Sequence, residues 1–136
     1  MDDLNDLFAR SDIVSLHAPA IPETEKMVGE EQLRRLRPGA VLINTARGAL
    51  IDHEALYRVA QEGKIQVFLD VTLPEPLPAE HPLRRLPNVY ITPHMAGTGY
   101  YGYWRIGAWT VQAVENFFAD RPFEGEVDLS RWEQLA

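Results

Sequence analysis

Cysteine is absent from this sequence, which excludes disulfides and thiolate metal ligation and leaves a reducing compartment permitted. No apolar run approaches the ~20 residues needed to span a bilayer, and Met1-Asp2-Asp3 opens with neither the basic nor the apolar stretch of a secretory signal. The cytosol is therefore the expected location. A net charge of -7, from 13 basic and 20 acidic residues without a basic cluster, argues against a nucleic-acid or anionic-membrane surface. The 4 histidines are scattered and poorly matched with acids at ligand spacing, so no metal site is expected. Internal repeats and low-complexity stretches are lacking, and so is any Gly-x-Gly-x-x-Gly, the turn that cradles a dinucleotide pyrophosphate.

What remains suits a single modest core: 136 residues, 46% of them apolar. Helices alternate with short apolar strands. Asp2 or Asp3 can cap a helix with Leu4, Leu7 and Phe8 on one face, and Ile13-Val14-Ser15-Leu16 reads as the strand after it. Glu30 to Leu36 suits a helix stopped by Pro38-Gly39, and Ala40-Val41-Leu42-Ile43 a parallel strand covered on both faces. Asp52 caps the next helix, whose buried stripe is Ala55, Leu56, Val59 and Ala60, and Gly63 ends it. Ile65 to Val71 is a third strand and Val89-Tyr90-Ile91 a fourth, separated by a stretch with five prolines that reads as a stiff loop. A long helix follows from about Gly102 to Ala119, with Ile106, Trp109, Ala113, Val114 and Phe117 at helical spacing. The rhythm implies a parallel sheet, whose active groups gather beyond the carboxyl ends of its strands.

Three chemically distinct residues stand beside such ends: Arg47 in Asn44-Thr45-Ala46-Arg47-Gly48, Glu75 in Pro74-Glu75-Pro76, and His94 in Thr92-Pro93-His94. Arg can grip a carboxylate bidentately, His can exchange a hydroxyl proton, and Glu can hold the imidazole in one tautomer and favour its protonated form. Singly, each has a plainer reading: Arg47 as a turn cap, Glu75 as a solvated loop acid, Asp70 as a turn former. His17 reads as a structural hydrogen-bonder at a strand end, and His53 and His81 as solvated. Tyr100, Tyr101, Tyr103, Trp104 and Trp109 read as core or interface rather than as a base-stacking surface.

In order and spacing, several segments together resemble the D-isomer-specific 2-hydroxyacid dehydrogenase family. They are Ala9-Arg10-Ser11-Asp12-Ile13-Val14-Ser15-Leu16-His17, Leu36-Arg37-Pro38-Gly39-Ala40-Val41-Leu42-Ile43 continuing to Gly48, Leu69-Asp70-Val71 followed by Glu75-Pro76, and Thr92-Pro93-His94-Met95-Ala96-Gly97. The similarity runs from Leu4 to about Phe118. It implies an α/β fold, a partial Rossmann-like parallel sheet with flanking helices that lacks the glycine-loop half. Residues 1–119 would be the C-terminal part of an NAD(P)-binding domain and 120–136 a tail, with the other half ahead of Met1.

The resemblance also implies hydride transfer between NAD or NADP and a small D-2-hydroxy acid or 2-oxo acid. Arg47, Glu75 and His94 would be catalytic, and Thr45, Ala46, Arg47, Asp70, His94, Ala96 and Gly97 would meet the cofactor. The aromatic run after Gly97 departs from the smaller residues usual there, which leaves substrate choice open, as is the choice between NAD and NADP. A non-catalytic Rossmann remnant serving as an interaction module is the alternative. The strand at Ile13 to Leu16 is expected to be an exposed edge, so a homo-oligomer is expected as well.

Overall fold

Asp3 starts the first helix, its carboxylate accepting the Asn5 N–H at 2.9 Å, and α1 runs from Leu4 to Arg10 with Phe8 fully buried. This is a computed structural model describing residues 3–97, 99–122 and 125–134, so Asp2, the other candidate cap, lies outside the described residues. Strand β1 is Ile13–Leu16, α2 Glu30–Arg35, β2 Val41–Asn44, α3 His53–Ala60, β3 Gln66–Leu69, β4 Val89–Ile91 and α4 Tyr100–Phe118. The chain divides into two compact units, one ending at His94 and one beginning at Met95.

In the first unit the strands form one parallel sheet in the order β1-β2-β3-β4. α3 begins where Asp52 accepts the N–H groups of Glu54 and Ala55, and Gly63, at φ +71, turns the chain beyond its end. Its predicted stripe of Ala55, Leu56, Val59 and Ala60 is buried. Asn5 joins α1 to α2 through Glu31 and Gln32, both at 2.9 Å, and Arg34 and Arg58 join α2 to α3 through Glu30 and Glu62.

Expected cover on both faces of the sheet is not what forms. Val14, Leu16, Leu42, Val67 and Leu69 share one core with Phe8, Leu33 and the α3 stripe. The alternate residues are open: Ile13 is 64% exposed and Tyr90 49%, and Phe68 stacks on Tyr90 with ring centroids 4.7 Å apart. All three helices of this unit feed the same core, so a continuous apolar run such as Val41-Leu42-Ile43 finds a helical layer on one side only. As the order requires, β1 is an edge strand. The proline-rich stretch also holds one regular piece, a 3-10 turn at Pro82–Arg85 that buries Leu83.

The second unit contains α4 and a 3-10 turn at Leu129–Gln134. Tyr103, Trp104, Ile106 and Trp109 on α4 are exposed, so the core reading of these aromatics does not hold. Arg105 caps the Trp109 ring at 4.9 Å from its centroid. The side chains of Tyr100 and Tyr101 lie outside the described residues.

Candidate functional site

Parallel pairing carries three loops to one rim, and the hydrogen-bond ladder continues past the strand ends. The Asp70 N–H donates to Asn44 O, Thr92 N–H to Leu69 O, and His94 N–H to Asp70 O, each at 2.9 Å. Asp70 and His94 are thereby fixed beside each other. Asp70 is buried, and one of its carboxylate oxygens accepts the Thr92 hydroxyl at 2.5 Å.

Asn44 builds the turn that displays Arg47. Fully buried at the end of β2, it accepts the Ala46 N–H at 3.0 Å and donates its amide to Arg47 O at 2.9 Å. Thr45 and Arg47 are left exposed at the tip and Ala46 half-buried. The next residue, Gly48, is buried against the main chain of Thr72, where a Cβ would lie 2.1 Å from the carbonyl carbon. Only the absence of a side chain allows the Arg47 turn to sit against the loop that leads to Glu75.

Glu75 and His94 meet: Nδ1 of the imidazole lies 2.5 Å from Glu75 Oε1. An ionised carboxylate can only accept, so Nδ1 carries a hydrogen and Nε2 is the nitrogen left for exchange with a bound molecule. His94 stands at φ +51, the left-handed region that residues with a Cβ rarely occupy, at a cost of roughly 1–3 kcal/mol. Its main-chain bond to Asp70 and its ring bond to Glu75 hold it there. Both side chains border a cleft of about 360 Å³ whose wall also includes Thr72, Leu77, Arg84 and Thr92. Arg47 is not part of that wall; its guanidinium folds back to donate to Ala46 O at 2.8 Å. Ala96 and Gly97 belong to the second unit, in the turn ahead of α4.

Two residues of this site escape a reading by sequence. Gly48 is one. The other is His53, which is buried and not solvated: its Nδ1 pairs with Ile51 O at 3.0 Å and its Nε2 accepts the Leu73 N–H at 3.3 Å. His53 therefore ties the first turn of α3 to the Glu75 loop, and only the neutral ring, with one N–H and one lone pair, satisfies both contacts. His81 is half-buried and caps the Pro82–Arg85 turn, accepting the Leu83 N–H at 3.3 Å. His17, as expected, hydrogen-bonds Ser15 at its strand end, at 2.8 Å. Among the described residues no group of His, Asp and Glu is placed to hold a metal ion.

Burial holds the His53 imidazole below its ordinary value of 6.5. The unfolded chain then binds the proton more readily, so stability is complete above that ordinary value and declines as the pH falls through it toward the lower folded value. The midpoint of thermal unfolding should drop between about pH 7.5 and about 5.5. His53→Gln should flatten that slope; an unchanged slope in the variant would assign the titration elsewhere.

The family profile described as D-isomer specific 2-hydroxyacid dehydrogenase, NAD binding domain, matches residues 1–96. A glyoxylate reductase of Korarchaeum cryptofilum is 47% identical over 98 residues, which is 71% of this chain and 30% of that protein. A formate dehydrogenase of Pseudomonas sp. is 38% identical over 122 residues, 89% of this chain and 30% of that protein. Among solved structures, D-lactate dehydrogenase with NAD+ from Lactobacillus jensenii superposes with a TM-score of 0.81 at 27% identity, covering 93% of this chain and 42% of that one. A D-isomer specific 2-hydroxyacid dehydrogenase from Xanthobacter autotrophicus in complex with NADPH gives 0.79 at 35%, covering 94% and 52%. The chain thus spans about 30% of the length of these curated relatives. No described helix is long and apolar enough to cross a membrane.

Proposed function

Since this chain belongs to the D-isomer-specific 2-hydroxyacid dehydrogenase family, we propose that it supplies the catalytic rim for interconverting a small D-2-hydroxy acid and its 2-oxo acid. The observation that carries this is the Glu75–His94 pair beyond the strand ends. In the reductive direction His94 donates its Nε2 proton to the C2 oxygen, and Glu75 stabilises the imidazolium that stands ready to do so. Arg47 swings from Ala46 O to take the substrate carboxylate in a fork. The chemistry that NAD or NADP supplies when bound is hydride transfer at C2.

The residues offered to the nicotinamide end of that cofactor are Thr45, Ala46 and Arg47 after β2, Asp70 after β3 and His94 after β4. Its pyrophosphate end needs a glycine turn at a helix N-terminus, and the sequence has none. Residues 1–119 are the C-terminal part of the NAD(P)-binding domain, followed by a tail at 120–136, and the setting is the cytosol.

Joined to the part of the Korarchaeum cryptofilum glyoxylate reductase that it does not match, the chain should reduce glyoxylate or hydroxypyruvate with NADH or NADPH. Alone, it should bind NADH only weakly. Absence of turnover from a folded chimera that binds NADH would overturn the proposal, and micromolar binding by the chain alone would refute the account of the pyrophosphate end.

The same chain forms a homo-oligomer. Edge strand β1, the open Phe68–Tyr90 face and the exposed Trp104 and Trp109 support this, because apolar patches of this kind are normally covered by a partner. Sedimentation at micromolar concentration should give a dimer or larger species; a monomer overturns it.

A further inference from the structure

We propose that Arg84 is a specificity-determining residue, binding a second anionic group, carboxylate or phosphate, on the acid whose C2 oxygen meets His94. The assignment rests on the reading of this cleft as a 2-oxo acid site. Arg84 borders the cleft together with Glu75 and His94, and it is the cation of that wall whose charge does not depend on pH. Its guanidinium is already oriented. Nε donates to Pro78 O at 3.0 Å and Nη2 to Leu77 O at 2.6 Å, so one side of the planar fork is pinned to the main chain.

Five N–H donors in a fixed plane, two of them spent, leave both hydrogens of Nη1 and one of Nη2 for a ligand. That remaining edge has the spacing that receives two oxygens of a carboxylate or phosphate. Neutral carbonyls hold the side chain without cancelling its charge, and among the described residues no carboxylate forms an ion pair with it. Glu75, the acid of the wall, is engaged by His94. Leu77 supplies an apolar stretch in the same wall, suited to the carbons between the two anionic groups of a ligand. A solvated loop arginine would not need its fork set against two successive carbonyls of its own loop.

The test compares two 2-oxo acids of equal carbon number, 2-oxoglutarate and 2-oxovalerate, titrated calorimetrically into the 136-residue chain. The dianion should bind about tenfold tighter than the monoanion, as expected of one charge-assisted bidentate contact. Arg84→Gln should remove that preference with little change for 2-oxovalerate, and Arg84→Lys should restore part of it. The monoanion is the internal control, since a loop loosened by loss of the carbonyl contacts would weaken both acids alike. Equal affinities in the unmodified chain, a preference that survives Arg84→Gln, a parallel loss of both acids or no binding of either would overturn the assignment. Reduction of glyoxylate by the chimera is read separately, so a failure at Arg84 leaves the catalytic reading of Glu75 and His94 in place.

Discussion

His94→Ala should abolish turnover of the 2-oxo acid, lowering kcat by about 10²–10⁴-fold, the range associated with a positioned general acid. The expectation follows from three fixed features. Glu75 engages Nδ1, Nε2 is left for the ligand, and the left-handed backbone at His94 is held from both sides by Asp70 O and Glu75. Alanine has a Cβ like histidine, so the backbone cost persists while the ring bond that offsets it is lost; some loss of thermal stability should accompany the loss of rate. NADH affinity in the chimera should change little. Measured by steady-state kinetics beside a cofactor titration, retention of kcat within about tenfold would remove His94 from the proton-transfer role. Glu75→Gln separates charge from geometry. The amide can still reach Nδ1 but carries no charge, so reduction should fall less than in His94→Ala.

Gly48→Ala should be among the most damaging substitutions of one methyl group in this chain. The new Cβ would lie 2.1 Å from the Thr72 carbonyl carbon and 2.2 Å from its oxygen, and main chain cannot rotate aside as a flexible side chain can. Overpacking costs about 1–3 kcal/mol where neighbours can give, and here the upper end or more is expected. Relief requires either the Arg47 turn or the Glu75 loop to move, so activity should fall together with stability. Denaturant unfolding measures the first. A Gly48→Ala protein with unchanged midpoint would show that the two segments are not in the contact described.

Elements with local causes were legible in the sequence. Asp3 and Asp52 mark helix starts by side chains that reach N–H groups two or three residues on. The Glu75–His94 meeting could be anticipated because parallel strands deliver their following loops to one rim, so two residues far apart in sequence share an address. What escaped was set by partners distant in the chain and unmarked in composition. His53 resembles any helix-first-turn histidine until Leu73 N–H is brought to its ring, 20 residues on. Gly48 resembles any turn glycine until Thr72 closes over it. The open face was missed for a related reason: Val41-Leu42-Ile43 describes what each side of a strand tolerates, whereas the number of helical layers depends on where the helices of this unit pack. Arg47 was legible as the tip of its turn, but its side-chain direction follows from a bond to its neighbour Ala46, which no spacing rule encodes.

The proline-rich loop that carries Glu75 is held from outside at two places, Leu73 N–H on the His53 ring and the Thr72 main chain against Gly48, and from within by Arg84 on the carbonyls of Leu77 and Pro78. A segment fastened so often is a fixed jaw. If the cleft beside His94 takes the acid as proposed, this jaw would keep it at one width. On that reading, acids too wide for the cleft should be refused at entry, and the discrimination should fall on KM. Amides of this jaw should exchange with deuterium as slowly as those of β3, the mark of a wall that does not move.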